Sequence, residues 1–280
     1  MKKFELGVSS CGAQDLTEKD FESCANAGIS AMELSLSYDR YDSIKWKEVY
    51  DMAKKYNIEL WSFHQPFMPF EVLDLASLDE NVRKHTVKYL SELMKKAADI
   101  GISVNIVHPS AEPNKENERG EKIKRAQESL AYLADAAEKC GSVIAVENLP
   151  RTCLGRDSKD IRELLSADDR LRACFDTNHL LKQPIKDFIL DIGEKIITTH
   201  VSDFDFVDEK HWLPGEGKID WNELIAALND VKYTGPFMYE LSLAPPRTIK
   251  RRMLTHADFK ENYNSLMKGE KPKIIGTPLV

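Results

Sequence analysis

Residues 141–148 read Gly141-Ser142-Val143-Ile144-Ala145-Val146-Glu147-Asn148. A glycine free to adopt a left-handed conformation ends the segment before it. A short apolar run then reads as a buried strand, and a carboxylate closes the run. Immediately upstream, Ile123, Ala126, Leu130, Leu133 and Ala137 recur three or four residues apart, the spacing of one helix face. Helix, glycine, strand and terminal polar residue make one unit, and the rest of the chain repeats it. Strands are predicted at Phe4–Ser10, Ala31–Leu36, Ile58–His64, Val104–His108, Val143–Glu147, Ala173–Asp176, Ile196–Val201 and Phe237–Leu241, with amphipathic segments between them. One such segment carries Val82, Leu90, Leu93, Met94 and Ala97. Ser77 with Glu80 reads as a capping box, Asp220 as a helix cap, and Gly28, Gly101 and Asn57 as helix ends before strands.

Eight βα alternations with no second block of composition predict a parallel sheet, and eight is the number that closes a (β/α)₈ barrel. The alternative, an open doubly wound sheet, prefers a glycine-rich turn after its first strand; Ser9-Ser10-Cys11-Gly12 does not supply G-x-G-x-x-G. The 280 residues suit one α/β barrel, which needs roughly 250. The expected division is a barrel over 1–267 and a loosely packed tail over 268–280, which contains Pro272 and Pro278.

Composition narrows the function. Thirty-nine Lys and Arg against 46 Asp and Glu leave a formal charge of −7, which disfavours a nucleic-acid or anionic-membrane grip as the main task. Five cysteines without C-x-x-C spacing read as free thiols of a reducing compartment. The first residues lack the apolar stretch of a signal peptide, and the longest aliphatic run, Leu224–Leu228, is far short of a membrane span. The expectation is a soluble, cytoplasmic protein with no membrane partner.

The seven histidines are distributed unevenly. In a barrel, side chains at the C-terminal ends of strands converge on one pocket. His64, His108 and His200 fall at such ends; His179 and His211 fall in the loops that follow; only His85 and His256 fall in predicted helices, where they read as surface or helix residues. Glu147, Asp176 and Glu240 each end an apolar strand, where a bare charge is costly unless compensated. One divalent cation compensates several carboxylates at once and accepts imidazole beside them. A metal flanked by Glu147 and Glu240, from strands far apart in barrel order, suggests removal of a proton from carbon and its return, with an enediolate stabilised meanwhile. His64 is also readable as a plain hydrogen-bonding residue. Trp61, Phe67, Phe204, Phe206 and Trp212 are candidates to wall the pocket. Arg151 and Arg156 are placed to meet an anionic group, whereas Arg247, Lys250, Arg251 and Arg252 read as a solvated helix face.

With these residues assembled, the sequence resembles the xylose-isomerase-like TIM-barrel superfamily, in the branch of sugar phosphate isomerases and epimerases. The resemblance rests on His108-Pro109-Ser110, Val146-Glu147-Asn148-Leu149, Phe175-Asp176-Thr177-Asn178-His179, His200-Val201-Ser202-Asp203, the loop Asp208–Gly217 and the Glu240 strand. It implies one divalent metal (Mn²⁺, Mg²⁺, Co²⁺ or Zn²⁺) on Glu147, Asp176, His200 and Glu240. The two glutamates would be the acid/base pair, and His179 would contact a small-molecule sugar. His64, His108, His179, Glu209 and His211 match the additional zinc ligands of the apurinic endonuclease branch, which would raise the count to three; that branch has aspartate where this chain has Glu209. Three functions are therefore carried forward: a metal-dependent sugar isomerase or epimerase, a multi-zinc phosphodiester hydrolase, and a barrel that binds without catalysing. Family members are often homo-oligomers, and no interface motif here requires it.

Overall fold

The computed structural model describes residues 4–279. All eight anticipated strands form: β1 (Leu6–Ser9), β2 (Ala31–Leu34), β3 (Glu59–His64), β4 (Val104–Val107), β5 (Val143–Glu147), β6 (Arg172–Asp176), β7 (Ile196–His200) and β8 (Phe237–Tyr239). They pair in parallel in the order β7-β6-β5-β4-β3-β2-β1-β8. A bridge between Val201 and Tyr239 links the two outer strands and closes the circle. The helices α1 (Glu18–Asn26), α2 (Trp46–Tyr56), α3 (Glu80–Asp99), α4 (Arg119–Lys139), α5 (Ser158–Leu165), α6 (Ile185–Ile192), α7 (Trp221–Asp230) and α8 (His256–Met267) surround it. This is the (β/α)₈ barrel.

The local signals account for the element ends. On α4, Ile123, Ala126, Leu130, Leu133 and Ala137 are all buried, so the helical periodicity faces the strands. Gly28, Gly101 and Gly141 take positive φ where helices end, and Asn57 occupies the same region after α2. Asp220 caps α7 by accepting from the Asn222 and Glu223 amides. The capping box expected at Ser77 and Glu80 is not formed. Asp79 caps α3 through Asn81 N, and Ser77 instead accepts from Asp79 N, because Asp79 stands directly before the first helical residue.

Two β-bulges bear on the site. Met32 pairs with Leu60 but Glu33 pairs with Ser62, leaving Trp61 as an extra residue in β3. Ala173 pairs with Ile196 but Cys174 pairs with Thr198, leaving Ile197 extra in β7. A bulge re-aims the side chains beyond it, and the residues beyond these two are His64 and His200.

The C-terminal segment is held down, contrary to expectation. Thr277–Pro278 forms β10, antiparallel to β9 (Ile249–Lys250). Gly276 N donates to Glu216 Oε1 at 2.6 Å, and Pro272 is buried against Gly215. The basic stretch 247–252 is likewise not a helix face. Arg251 is buried in an ion pair with Glu216 at 2.9 Å, and Arg252 pairs with Asp258 at 2.7 Å. All five cysteines are free. No helix among the described residues is long and apolar enough to cross a membrane.

Candidate metal centre

Alternate residues of a strand face the same side. Val104, Ile106 and Ala145, with Cys174, pack together inside the barrel. Two residues further along β5 and β6, and after β4, the same inward face presents Glu147, Asp176 and His108. His64 comes from the end of β3, His200 from the end of β7, and Glu240 follows β8. The predicted strand-end residues therefore meet at the C-terminal mouth.

Glu147 is the hub. Its Oε2 lies 3.2 Å from His64 Nε2 and 3.1 Å from His108 Nε2; its Oε1 lies 3.0 Å from His200 Nδ1. His200 Nδ1 also faces Glu240 Oε2 at 3.5 Å and Asp176 Oδ2 at 3.7 Å. A second group stands beside it: His179 Nε2 lies 2.8 Å from Glu209 Oε1, and the His211 ring meets the His179 ring edge-on at 6.2 Å. Among the described residues, three sets of side chains bring ligand atoms within metal-sharing distance: Glu147, Asp176, His200 and Glu240; His64, Glu147 and His200; and His179, Glu209 and His211.

The far nitrogens are held from behind. His64 Nδ1 donates to the Gln65 carbonyl and His179 Nδ1 to the Asn148 carbonyl, both at 2.9 Å. His200 Nε2 meets Glu33 Oε2 at 3.1 Å. Phe67 stacks on His108 with ring centres 4.0 Å apart.

The electrostatics of the cluster are uneven. Burial alone would raise the Glu147 pKa, but the facing His200 and His108 charges win and hold it well below the usual carboxylate range. Burial pushes Glu240 up to about 7, with His200 opposing and the Asp176 and Glu147 charges adding. Asp176 is raised, chiefly by burial. Burial would lower His179, yet Asp176, Glu209 and Glu147 carry it to about 10. Glu209, against burial, is drawn down to about 2 by His179 and Arg151.

The residues fit a divalent metal. Glu147, Asp176 and His200 are at most 1% exposed, and Asp176 Oδ2 is buried with no hydrogen-bond partner among the described residues. A carboxylate oxygen left so is expensive unless a cation compensates it. The donor set, three carboxylates and an imidazole, suits Mn²⁺, Mg²⁺, Co²⁺ or Zn²⁺.

Other candidates are placed differently. Trp61 is not at the mouth: as the bulge residue of β3 it packs in the apolar layer below, and its indole donates to Thr198 Oγ1 at 3.2 Å. The Trp212 side chain is buried, with Nε1 donating to Thr248 Oγ1 at 2.9 Å. Phe204 is buried, whereas Phe206 is exposed. Arg151 is engaged by Glu112, Asp208 and Glu209, and Arg156 by Glu116, so both are spent on carboxylates of neighbouring loops. His85 is exposed, but His256 is buried at the start of α8, with Nδ1 on Ser23 Oγ at 2.8 Å.

One residue escaped the sequence reading. Glu33, on β2, is fully buried and accepts from Ser9 and Ser62 as well as His200. Its signal is the one that exposed Glu147, a carboxylate interrupting an apolar strand in Ala31-Met32-Glu33-Leu34. A strand predicted to run on to Leu36 placed it mid-strand instead of near the mouth.

Comparison with known proteins agrees with this architecture. The family model described as xylose isomerase-like TIM barrel matches residues 21–257. The uncharacterised protein MJ1311 of Methanocaldococcus jannaschii is 29% identical over 248 residues, 84% of this chain and 83% of that one. A probable endonuclease 4 of Aquifex aeolicus is 28% identical, covering 64% of each chain. The fructoselysine 3-epimerase of Escherichia coli O157:H7 is 27% identical over 46% of this chain and 50% of its own. Among solved structures, a D-tagatose 3-epimerase-like protein superposes with a TM-score of 0.78 at 24% identity, covering 95% of this chain and 96% of its own. The IolI protein with a bound zinc atom gives 0.77 at 17% identity, covering 95% and 97%.

Proposed function

The chain belongs to the xylose isomerase-like TIM barrel family, and from that premise we propose that it is a divalent-metal-dependent isomerase or epimerase of a small hydroxy-carbonyl compound, a sugar above all. The observation that carries this is the placing of two carboxylates from strands far apart in barrel order on one imidazole, with His200 Nδ1 3.0 Å from Glu147 Oε1 and 3.5 Å from Glu240 Oε2. In the metal-free protein His200 draws Glu147 well below the usual carboxylate range against its burial, while burial pushes Glu240 up to about 7. Two neighbouring carboxyls driven apart in this way form a base and an acid. Held by Glu147, Asp176, His200 and Glu240, a divalent metal supplies Lewis-acid polarisation of the substrate's carbonyl group.

The remaining chemistry falls to the chain. The ionised carboxylate takes the proton from the carbon beside the carbonyl, and the protonated partner returns one. Return to the opposite face inverts the centre and exchanges the protonation states of the two glutamates, so the pair runs in either direction. His179, its Nδ1 fixed by the Asn148 carbonyl, directs Nε2 toward Glu209 at the mouth and is the group to orient a substrate hydroxyl. Because Arg151 and Arg156 are neutralised by Glu112, Asp208, Glu209 and Glu116, the substrate we favour is unphosphorylated. Similarity to the fructoselysine 3-epimerase and to the sugar-epimerase structures supports the same class.

One observation favours a second reading. The His179, Glu209 and His211 group, beside the Glu147 centre, offers enough ligands for the multi-zinc hydrolysis of a phosphodiester, and the probable endonuclease 4 is a relative. Against it, the loops after β1 and β2 carry one arginine, Arg40, which is engaged by Gln14 and Asp39. Incubation of metal-loaded protein with ketoses in D₂O separates the two. Deuterium entering the substrate carbon next to the carbonyl, lost in Glu147→Gln and Glu240→Gln, supports proton transfer. Exchange that persists in both variants removes the glutamates from the mechanism, and cleavage of an abasic oligonucleotide establishes the hydrolase.

A further inference from the structure

His64 and His200 each aim one ring nitrogen at Glu147 and tie the other behind it, while His179 aims Nε2 at Glu209 and bonds through Nδ1, which also stands 3.5 Å from Glu147 Oε1 and 3.6 Å from Asp176 Oδ2. For His64 and His179 the tie is a neutral backbone carbonyl, of Gln65 and Asn148. For His200 it is a buried carboxylate, Glu33, at 3.1 Å. Glu33 is fixed in turn: Ser9 Oγ donates to its Oε1 at 2.8 Å and Ser62 Oγ to its Oε2 at 2.7 Å. Strands β1, β2, β3 and β7 thus contribute one side chain each to a chain of hydrogen bonds that ends on His200 Nε2. The bulge at Trp61 brings Ser62 level with Glu33 in the sheet register.

The consequence is chemical. A carboxylate accepts and never donates, so Glu33 holds a His200 proton on Nε2, and the proton a metal would displace is the one on Nδ1, the nitrogen that faces Glu147, Glu240 and Asp176 at 3.0, 3.5 and 3.7 Å. A full negative charge behind the ring also makes its ligand nitrogen a better donor than a carbonyl would. We propose that Glu33 is the positioning residue that presents His200 Nδ1 to the metal, making the Glu147 and His200 centre bind more tightly than the His179, Glu209 and His211 group. This rests on the metal-dependent reading of the site.

Calorimetric titration of metal-free protein with Mn²⁺ and Zn²⁺ tests it. In Glu33→Gln the tightest site is expected to weaken roughly tenfold to a hundredfold, while a weaker site on His179, Glu209 and His211 keeps its affinity. Loosening of the whole fold would weaken both. Equal affinities in the wild type and a folded Glu33→Gln overturn the role of Glu33 alone. A wild type that binds neither ion overturns this proposal and the proposed function together.

A second readout needs no variant. In zinc-loaded wild-type protein, proton–nitrogen correlation spectra of the histidine rings are expected to place the His200 proton on Nε2. A proton on Nδ1 overturns the assignment even where Glu33→Gln fails to fold.

Discussion

Two layers fill the barrel, one above the other on the same strands, and they do opposite things. The lower layer, Val104, Ile106, Ala145 and Cys174 with Trp61 beside them, packs as an apolar cluster whose polar contacts are the indole bond to Thr198 and the Cys174 thiol beneath His200. The upper layer, two residues further along the same inward faces, is built from Glu147, Asp176 and His108, joined by His64, His200 and Glu240. The period of a strand puts both sets in the barrel interior; what differs is only the residue type at the last inward step. A side chain in the lower layer is replaceable by anything of its volume. A side chain in the upper layer is charged or hydrogen-bonded to several others at once, and its removal strands them.

The comparison breaks if upper-layer changes behave like packing changes. Glu147→Gln, which removes the hub, should lower turnover roughly 10²–10⁴-fold and weaken the metal site; steady-state kinetics with metal titration reads both. Ile106→Ala in the lower layer should instead cost about 2–5 kcal/mol of stability in denaturant unfolding, with metal affinity unchanged. An Ile106→Ala protein that unfolds normally but loses metal would erase the distinction between the layers.

The upper layer should also exchange protons for metal, and the lower should not. In the metal-free protein Glu240, raised to about 7 by burial and by the Asp176 and Glu147 charges, carries a proton at pH 6 and has lost it by pH 8. Metal must displace that proton at pH 6, so binding there should be weaker and should release more protons than at pH 8. Calorimetry in buffers of different ionisation enthalpy counts them; equal release at both pH values contradicts the assignment.

A smaller effect separates centre from rim. Arg151→Ala removes one partner of Glu209, so the His179, Glu209 and His211 group should lose about tenfold in metal affinity while the Glu147 group keeps its own. The smallest change belongs to the lower layer. Trp61→Phe deletes the bond to Thr198, which should cost about 0.5–1.5 kcal/mol with KM unmoved. A raised KM would return Trp61 to the pocket wall.

How much of this was legible in the chain varies with the kind of signal. Strand positions follow from local apolar runs and the glycines before them, and Glu147, Asp176, His200 and Glu240 could be grouped because a barrel sends strand ends to one mouth. The sequence puts Trp61 at the pocket wall, and the structure does not, because a bulge is a register event between two strands, with no trace in either alone. Arg151 reads as an anion contact in the sequence because its partners, Glu112, Asp208 and Glu209, come from loops 39 to 58 residues away. The C-terminal segment looked loose by its prolines, but its anchor is the Glu216 carboxylate, far away in sequence. His256, an ordinary helix residue by position, is buried only because α8 packs beside Ser23 and Cys24 of α1.

The central claim is that the upper layer exists to hold a divalent metal between two proton-transferring glutamates. Elemental analysis of the protein purified without chelator, followed by removal and re-addition of metal, tests it most directly. At least one bound divalent ion per chain is expected, lost in Glu147→Gln and required for deuterium exchange into the substrate. Protein that carries no such ion, regains none on re-addition and catalyses exchange regardless would contradict it.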